Sequence, residues 1–514
     1  MARRPLSSIA AVSCALLFGC SDAEQSTENP TQITPAAGSS SGQAGSGSAG
    51  RASSAGSAAA GGAGAGNAAG QSAGAAGRAA VAGASAGQPA APAAGGGASA
   101  PDAGTDPGGA TAPLERAMIA ADTAPAVSES DYASFIDHLN QFGLELGQKQ
   151  AAANDFTTKN LVYSPLSASY ALGMTYAGAR GTTADEMKKV LGDSFAAGVF
   201  HKSANRLARE LASRVTVNMD RKIELSLADA LFVENTFALE PAFLETMARD
   251  YDTGVFREDF IRAFEPARMH INTWVAKQTR DRIQDLLPMG SLDESTRLVL
   301  VNALYFYGSW AIPFKANSTS DAPFHTLAGA TTQVKTMHGE LAVPYATAPD
   351  YAVAELPYEG RKLRMTLVLP AAGKFESVRS QLSAAWLRTA TASLGTKTLN
   401  VALPKWKVTA GSFSLKPALE ELGMKTAFTD AADLSGLSKA GSLKIDDVVQ
   451  KAFIAVDELG TEAAAATGVT VGLTSAPLEV IPFIVDRPFL YFIRDDNGSV
   501  LFSGHIVDPS QMSQ

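Results

Sequence analysis

Residues 456–477 read VDELGTEAAAATGVTVGLTSAP, and the reading of the whole chain hangs on what that stretch is for. From Thr461, alternate positions are Thr461, Ala463, Ala465, Thr467, Val469, Val471 and Leu473; those between begin with Glu462 and include Gly468 and Gly472. Strict alternation is the pattern of a half-buried β-strand. Yet Ala463, Ala464, Ala465 and Ala466 nucleate a helix better than a strand. The competing reading is an alanine-rich surface helix, and Gly460, Gly468 and Gly472 around the alanines argue against it. The stretch is a strand without a partner, weakly committed to being one, and so suited to conditional insertion.

Composition divides the 514 residues around it. Residues 1–20 read as a signal peptide: Arg3 and Arg4, an apolar run from Ile9 to Phe18, then the small Gly19. The run is too short for an ordinary transmembrane helix. Leu17-Phe18-Gly19-Cys20 resembles a bacterial lipobox, which makes Cys20 the expected lipidation site. A plain secretory signal with an incidental cysteine is the other reading. Residues 21–128 are mostly Ala, Gly and Ser without one Phe, Trp or Tyr, so they cannot bury enough apolar area to offset chain entropy. They are expected to form a flexible tether. Its length either provides reach or is unselected. Residues 129–514 are long enough for one large domain or two ordinary ones.

The net charge of −9 argues against a nucleic-acid partner. Cys14 and Cys20 are the only two cysteines, so the folded part has no disulfide and no thiol nucleophile. The six histidines form no short ligand pair, and no metal or cofactor is expected. The folded part carries no GxSxG elbow, no GxGxxG after a strand and no P-loop. Nothing in it reads as an active site, and the chain is not expected to be an enzyme.

Helical spacing of Phe135, Leu139, Phe142 and Leu146 predicts an opening helix capped by Ser130 or Asp131. Ser164 and Pro165 open a second helix, small and apolar on most sides. Thr182 or Thr183 caps a third, with Glu186 placed for a capping box. Strands are expected at Ile223 to Val233, Leu298 to Tyr307 and Leu399 to Val408; the second is nearly all apolar and hence central. Residues 262–287 read as a helix, and Pro417 to Gly423 as a short one. Hairpins are expected around Tyr358 to Lys362 and around Asp496-Asn497-Gly498. Strands and helices mix without a βαβ rhythm, so the class is α+β.

With these landmarks in place, residues 130 to 512 resemble a serpin. Glu458-Leu-Gly-Thr-Glu-Ala-Ala-Ala-Ala-Thr467 resembles the hinge of inhibitory members. Asn160-Leu-Val-Tyr-Ser-Pro-Leu-Ser167, Val301-Asn-Ala-Leu-Tyr-Phe-Tyr-Gly-Ser-Trp310, Asp486-Arg-Pro-Phe489 and Val500-Leu-Phe-Ser-Gly504 resemble further family segments, in the family's order. The resemblance implies three β-sheets, eight or nine helices and an exposed C-terminal reactive loop. It implies a monomeric suicide substrate: a protease attacks the loop, and the hinge half of the cut loop enters the central sheet before the acyl-enzyme hydrolyses. A non-inhibitory binding or carrier protein is the alternative.

The hinge so implied is Glu458, Gly460, Thr461, Glu462, Ala463, Ala464, Ala465, Ala466 and Thr467. Insertion would add roughly ten backbone hydrogen bonds worth about 1 kcal/mol each. Small inward residues let the hinge enter first, so a large or charged residue at Thr461 or Ala463 should turn inhibitor into substrate. Ser164, Ser167 and Asn302 match the family's polar cluster where the central strands part. Gln450 stands where the family usually has His; an amide both donates and accepts, so it can serve the cluster without titrating. Trp310, Lys405 and Glu458 match a cluster at the top of the sheet that gates insertion.

The family's spacing puts the scissile bond at Thr474–Ser475, with Leu473 the alternative first residue. No Lys or Arg occurs between Lys451 and Arg487, so a trypsin-like protease has no basic residue to recognise. Elastase-like, subtilisin-like, chymotrypsin-like and papain-like proteases remain as partners. With Cys20 lipidated, the protein is expected to cross the inner membrane and be held on the cell envelope, periplasmic or at the surface, by its anchor alone.

Overall fold

The computed structural model describes residues 113–511, apart from 155–156, 197, 218–220, 410 and 463–478. Residues 1–112, with the signal, Cys20 and most of the tether, lie outside the described residues.

The expected central strand is β6 (Leu298–Ser309), and it is buried along its whole length. Its alternation builds two cores at once. Leu298, Leu300, Leu304 and Phe306 pack on one side, while Val299, Val301 and Ala303 join Phe260, Ile271 and Val275 on the other. Each buried Val, Leu, Ile or Phe side chain contributes about 1.5–3 kcal/mol. Around β6 the hydrogen-bonded order is β1 (Leu114–Glu115), β5 (Val255–Glu258), β4 (Lys222–Glu234), β6, β15 (Gly460–Thr461), β14 (Asp447–Asp457) and β12 (Trp406–Thr409). Two short strands, β3 (Thr216–Val217) and β13 (Phe413–Ser414), pair with β4 and β14.

The second network runs β16 (Ile481–Ile484), β11 (Gly395–Pro404), β8 (Thr331–Ala348), β9 (Tyr351–Pro357), β10 (Leu363–Pro370), β17 (Phe489–Asp495), β18 (Val500–Ile506) and β2 (Leu161–Tyr163). A further strand, β7 (Thr319–His325), pairs with β8. Three sheets were expected, and pairing joins the described strands into two networks. The reason is β8: Thr331 to Tyr345 pair with β7 and β11, while Tyr345 to Ala348 pair with β9. One long strand thus belongs to two sheets.

Nine α-helices surround these sheets among the described residues: α1 (Glu129–Ala153), α2 (Pro165–Tyr176), α3 (Gly181–Val190), α4 (Val199–Ala212), α5 (Pro241–Asp250), α6 (Phe260–Gln278), α7 (Phe375–Ser380), α8 (Ala384–Ala392) and α9 (Lys416–Leu422). The cap of α1 is Ser128, whose side chain accepts from Asp131 N, and not Ser130 or Asp131. In α3 the expected capping box is absent because tertiary contacts claim both its members. Thr183 Oγ1 accepts from Asp433 N at 2.9 Å, and Glu186 accepts from Lys425 N and Thr426 N at 2.8 and 2.7 Å.

The helix expected over residues 262–287 stops at Gln278. Arg280, Asp281 and Asp285 take φ of 52°, 61° and 50°, while Ile283, Leu286 and Leu287 still reach the core. Asn272 fixes that turn, accepting from Leu287 N at 2.8 Å and donating to Leu287 O at 2.9 Å. The apolar spacing survives where the helix does not. The strand expected from Leu399 to Val408 is two strands, β11 and β12, in different networks. Pro404 has no N–H to continue the ladder. The chain changes sheets at Lys405, whose N donates to Lys335 O at 2.7 Å.

Candidate functional site: the parting strands and the seated hinge

At their lower ends β6 and β14 pair directly and in parallel, from Val299 opposite Asp447 to Leu304 opposite Ala452. Above that they are held apart by β15. Gly460 and Thr461 pair with Asp457 and Val456 on one side and with Ser309 and Gly308 on the other, antiparallel to both. Thr461, where the alternation begins, and Gly460 before it are therefore already a strand in the gap. Gly460 is required there, because a Cβ would run into the Gly308 carbonyl oxygen. Thr461 is 1% exposed, and its hydroxyl lies 2.6 Å from the Tyr358 hydroxyl. The Tyr358 ring stacks on Trp310 at 4.6 Å between centroids.

Sequence analysis did not single out Tyr358. It follows the β9 strand at Pro357, and only the fold brings it under the hinge.

At the top of the gap the Lys405 ammonium sits 2.7 Å from Glu458 Oε2, and Thr319 Oγ1 donates to Oε1 at 2.7 Å. Burial pushes the Glu458 carboxyl up, but the hydrogen bonds from Lys405 and Thr319 outweigh it, leaving the group below its ordinary value. Trp310 Nε1 donates to Asp457 O at 3.0 Å, and Trp310 N to Leu459 O at 2.8 Å. Trp310, Lys405 and Glu458 thus lie around the turn that feeds β15.

The charge at Glu462 behaves differently from an outward-facing position. Its side chain is only 10% exposed and forms an ion pair with Arg282. Burial raises its carboxyl above the ordinary value, with Arg282 pulling the other way. Glu462 takes φ of 55° and donates its N–H to Ala455 O at 2.8 Å. Beyond it Ala463, Ala464, Ala465, Ala466, Thr467, Leu473, Thr474 and Ser475 lie outside the described residues.

Below the hinge, Ser164, Ser167, Asn302 and Gln450 are brought together. Gln450 docks on the Ser164 backbone, its Oε1 accepting from Ser164 N at 3.2 Å and its Nε2 donating to Ser164 O at 3.0 Å. The same Nε2 donates to Asn302 Oδ1 at 2.5 Å, tying β14 to β6. Ser164 Oγ caps α2 by accepting from Ser167 N at 3.1 Å, and donates to Leu501 O at 2.8 Å. Ser167 Oγ donates to Asp229 Oδ1 at 2.5 Å. Asp229, on β4 directly opposite Asn302, is a member of this cluster that sequence reasoning missed. Its one signal was a lone carboxylate inside the apolar run Leu227 to Val233.

A sequence model of the family described as "Serpin (serine protease inhibitor)" matches residues 137–509. A serpin-like protein of Thermococcus kodakarensis is 37% identical over 382 residues, covering 73% of this chain and 85% of that protein. The leukocyte elastase inhibitor of Bos taurus is 38% identical over 360 residues, covering 68% and 93%. Among solved structures, Serpin48 of the insect Tenebrio molitor is similar with a TM-score of 0.64 at 32% identity, over 73% of this chain and 98% of that one. A thyroxine-binding globulin in complex with thyroxine is similar with a TM-score of 0.64 at 27% identity, over 73% and 99%.

Proposed function

The chain belongs to the serpin family, and on that premise we propose that it is an inhibitory member: a suicide substrate that traps serine proteases, and on a second footing papain-like cysteine proteases. The observation that carries the reading is the seating of Gly460 and Thr461 between β6 and β14. A gap already occupied by the first strand residues of the hinge gives the remaining hinge residues a template to extend. The strand would then grow downward, displacing the direct β6–β14 pairing residue by residue. After Glu462 only small side chains follow, Ala463 to Ala466, so each later step separates the neighbours little.

The loop acts as substrate and not as catalyst. Cleavage is proposed at Thr474–Ser475, or after Leu473, and the absence of Lys and Arg in the loop directs it to elastase-like, subtilisin-like, chymotrypsin-like or papain-like enzymes. Similarity to an elastase inhibitor supports the small-pocket targets. Similarity to a thyroxine-binding globulin favours a second reading, a binding or carrier protein; the small-residue hinge weighs against it. Cys20 and the tether of residues 21–128 would hold the domain, as a monomer, on the bacterial envelope.

The test is incubation with one protease of each class. A complex stable in SDS, with a released C-terminal peptide whose mass fixes the bond, is expected from at least one. Clean cleavage without a complex by all four would contradict the inhibitory reading and favour the carrier.

A further inference from the structure

The cluster beneath the gap leaves two polar atoms shielded and unpaired while the sheet is closed: Asp229 Oδ2 and Asn302 Nδ2. They belong to residues directly opposite each other on β4 and β6. Asn302 is turned the other way, its Oδ1 held by Gln450 across the β6–β14 seam. Any strand that enters between β6 and β14 must break that seam, and with it the Gln450–Asn302 bond. The pair β4–β6, by contrast, is left intact.

We propose that Asp229 is a positioning residue for sheet opening: as the seam parts, Asn302 passes from Gln450 to the Asp229 carboxylate, and Asp229 releases its proton to solvent. This rests on the reading that the sheet opens to admit its own hinge. In the closed sheet burial holds the Asp229 carboxyl well above the ordinary carboxylate range, and the Ser167 hydroxyl only partly opposes it. The groups facing it are Ser167 and Tyr170 from α2, Asn302 from β6 and, beyond Asn302, Gln450 from β14. The Tyr170 phenol is itself pushed up, by burial first and by its acidic neighbours after, and so stays neutral. No cation is among the influences on Asp229. Both carboxyl oxygens are covered in the closed sheet, Oδ1 by the Ser167 hydroxyl and Oδ2 by the surrounding side chains, so the proton leaves only as the seam parts.

The sign follows from linkage. Below the ordinary carboxylate value both states hold the proton, and pH has no effect through this group. Between that value and the raised closed-state value, opening releases one proton, so opening gains up to tenfold per pH unit as pH rises. The same group lowers closed-state stability over that window, because a raised carboxyl contributes stability that is lost as pH rises through its folded value. The Asp229→Asn variant keeps a side chain of the same shape without the proton. It should therefore be more heat-stable at neutral pH and yet slower to open.

A labelled peptide with the sequence of residues 461–474 tests this by annealing to the intact protein, followed by native electrophoresis between pH 5 and 8. The wild-type rate should climb with pH, approaching tenfold per unit, while Asp229→Asn should be slower at pH 8 and flat. An equal pH slope in both proteins, or a peptide that never anneals to wild type, would overturn the proposal. Should Asp229→Asn not fold, proton release during annealing to wild type in weakly buffered indicator solution decides: about one proton per peptide supports the proposal, and none refutes it. Protease trapping is independent of this readout, so annealing without trapping would sink the inhibitory reading and leave Asp229 in its role.

Discussion

Thr461→Arg is the perturbation that the seated hinge makes most informative. Thr461 is 1% exposed, lies between Val456 and Gly308 in the sheet, and has its hydroxyl 2.6 Å from Tyr358. No carboxylate is bonded to that hydroxyl, so a guanidinium seated there would be an uncompensated buried charge costing about 3–5 kcal/mol. The variant should instead expel β15, and the same cost then falls on the first step of insertion. At tenfold per 1.36 kcal/mol, insertion slows roughly 10²–10⁴-fold. Hydrolysis of the acyl-enzyme involves the protease and water and should be unchanged. Partition then shifts to turnover, and the number of inhibitor molecules consumed per protease trapped should rise at least about tenfold. Titration of residual protease activity, with an SDS gel for the complex, measures it. Thr461→Ser keeps the hydroxyl and should stay near wild type. If Thr461→Arg folds and still traps protease at wild-type stoichiometry, the reasoning from the seated hinge is wrong.

Gln450→Ala leaves Ser164 N, Ser164 O and Asn302 Oδ1 without their side-chain partner, and should cost about 2–4 kcal/mol in denaturant unfolding. A loss under 0.5 kcal/mol, within the usual scatter of surface substitutions, would mean that water replaces the amide at no cost. Gly460→Ala brings a Cβ into the Gly308 carbonyl and should free the hinge, read as faster proteolysis of the loop by a non-target enzyme. Lys405→Ala should destabilise by no more than about 1 kcal/mol, because the lysine is 37% exposed and screened. Glu458 sits below its ordinary value, so its contribution is present above the unfolded carboxylate value and is lost as pH falls through the folded one. Wild type and Lys405→Ala should therefore converge in acid; a gap that widens there would contradict the pairing.

The parts legible in sequence share one property, a local pattern with a single physical cause. β6 was visible because a strand buried on both faces must be nearly all apolar, and Thr461 because an inward hinge position must be small. The Gln450 substitution was readable as well, since one amide can supply both donor and acceptor. What stayed hidden depends on distant partners. Thr183 and Glu186 carry a capping pattern and are used elsewhere, by Asp433, Lys425 and Thr426. The apolar spacing of residues 262–287 fixes burial, while the helix itself gives way to the Asn272 clamp on Leu287. Tyr358 sits far in sequence from the hinge and Asp229 from Ser167; only the bridge from Tyr358 to Trp310, and the packing of α2 on β4 and β6, give them meaning. The division of Leu399 to Val408 was signalled by Pro404, but nothing local says that the next residue joins another sheet.

Thermal unfolding of the protein before and after a single cut in the 463–478 segment tests the central claim most directly. Insertion of the freed hinge as a full strand adds roughly ten hydrogen bonds at about 1 kcal/mol each, which in a domain of this size predicts a rise in midpoint on the order of 10 °C or more. An unchanged or lowered midpoint after complete cleavage would contradict it, because the gap between β6 and β14 would then not be a place for the loop.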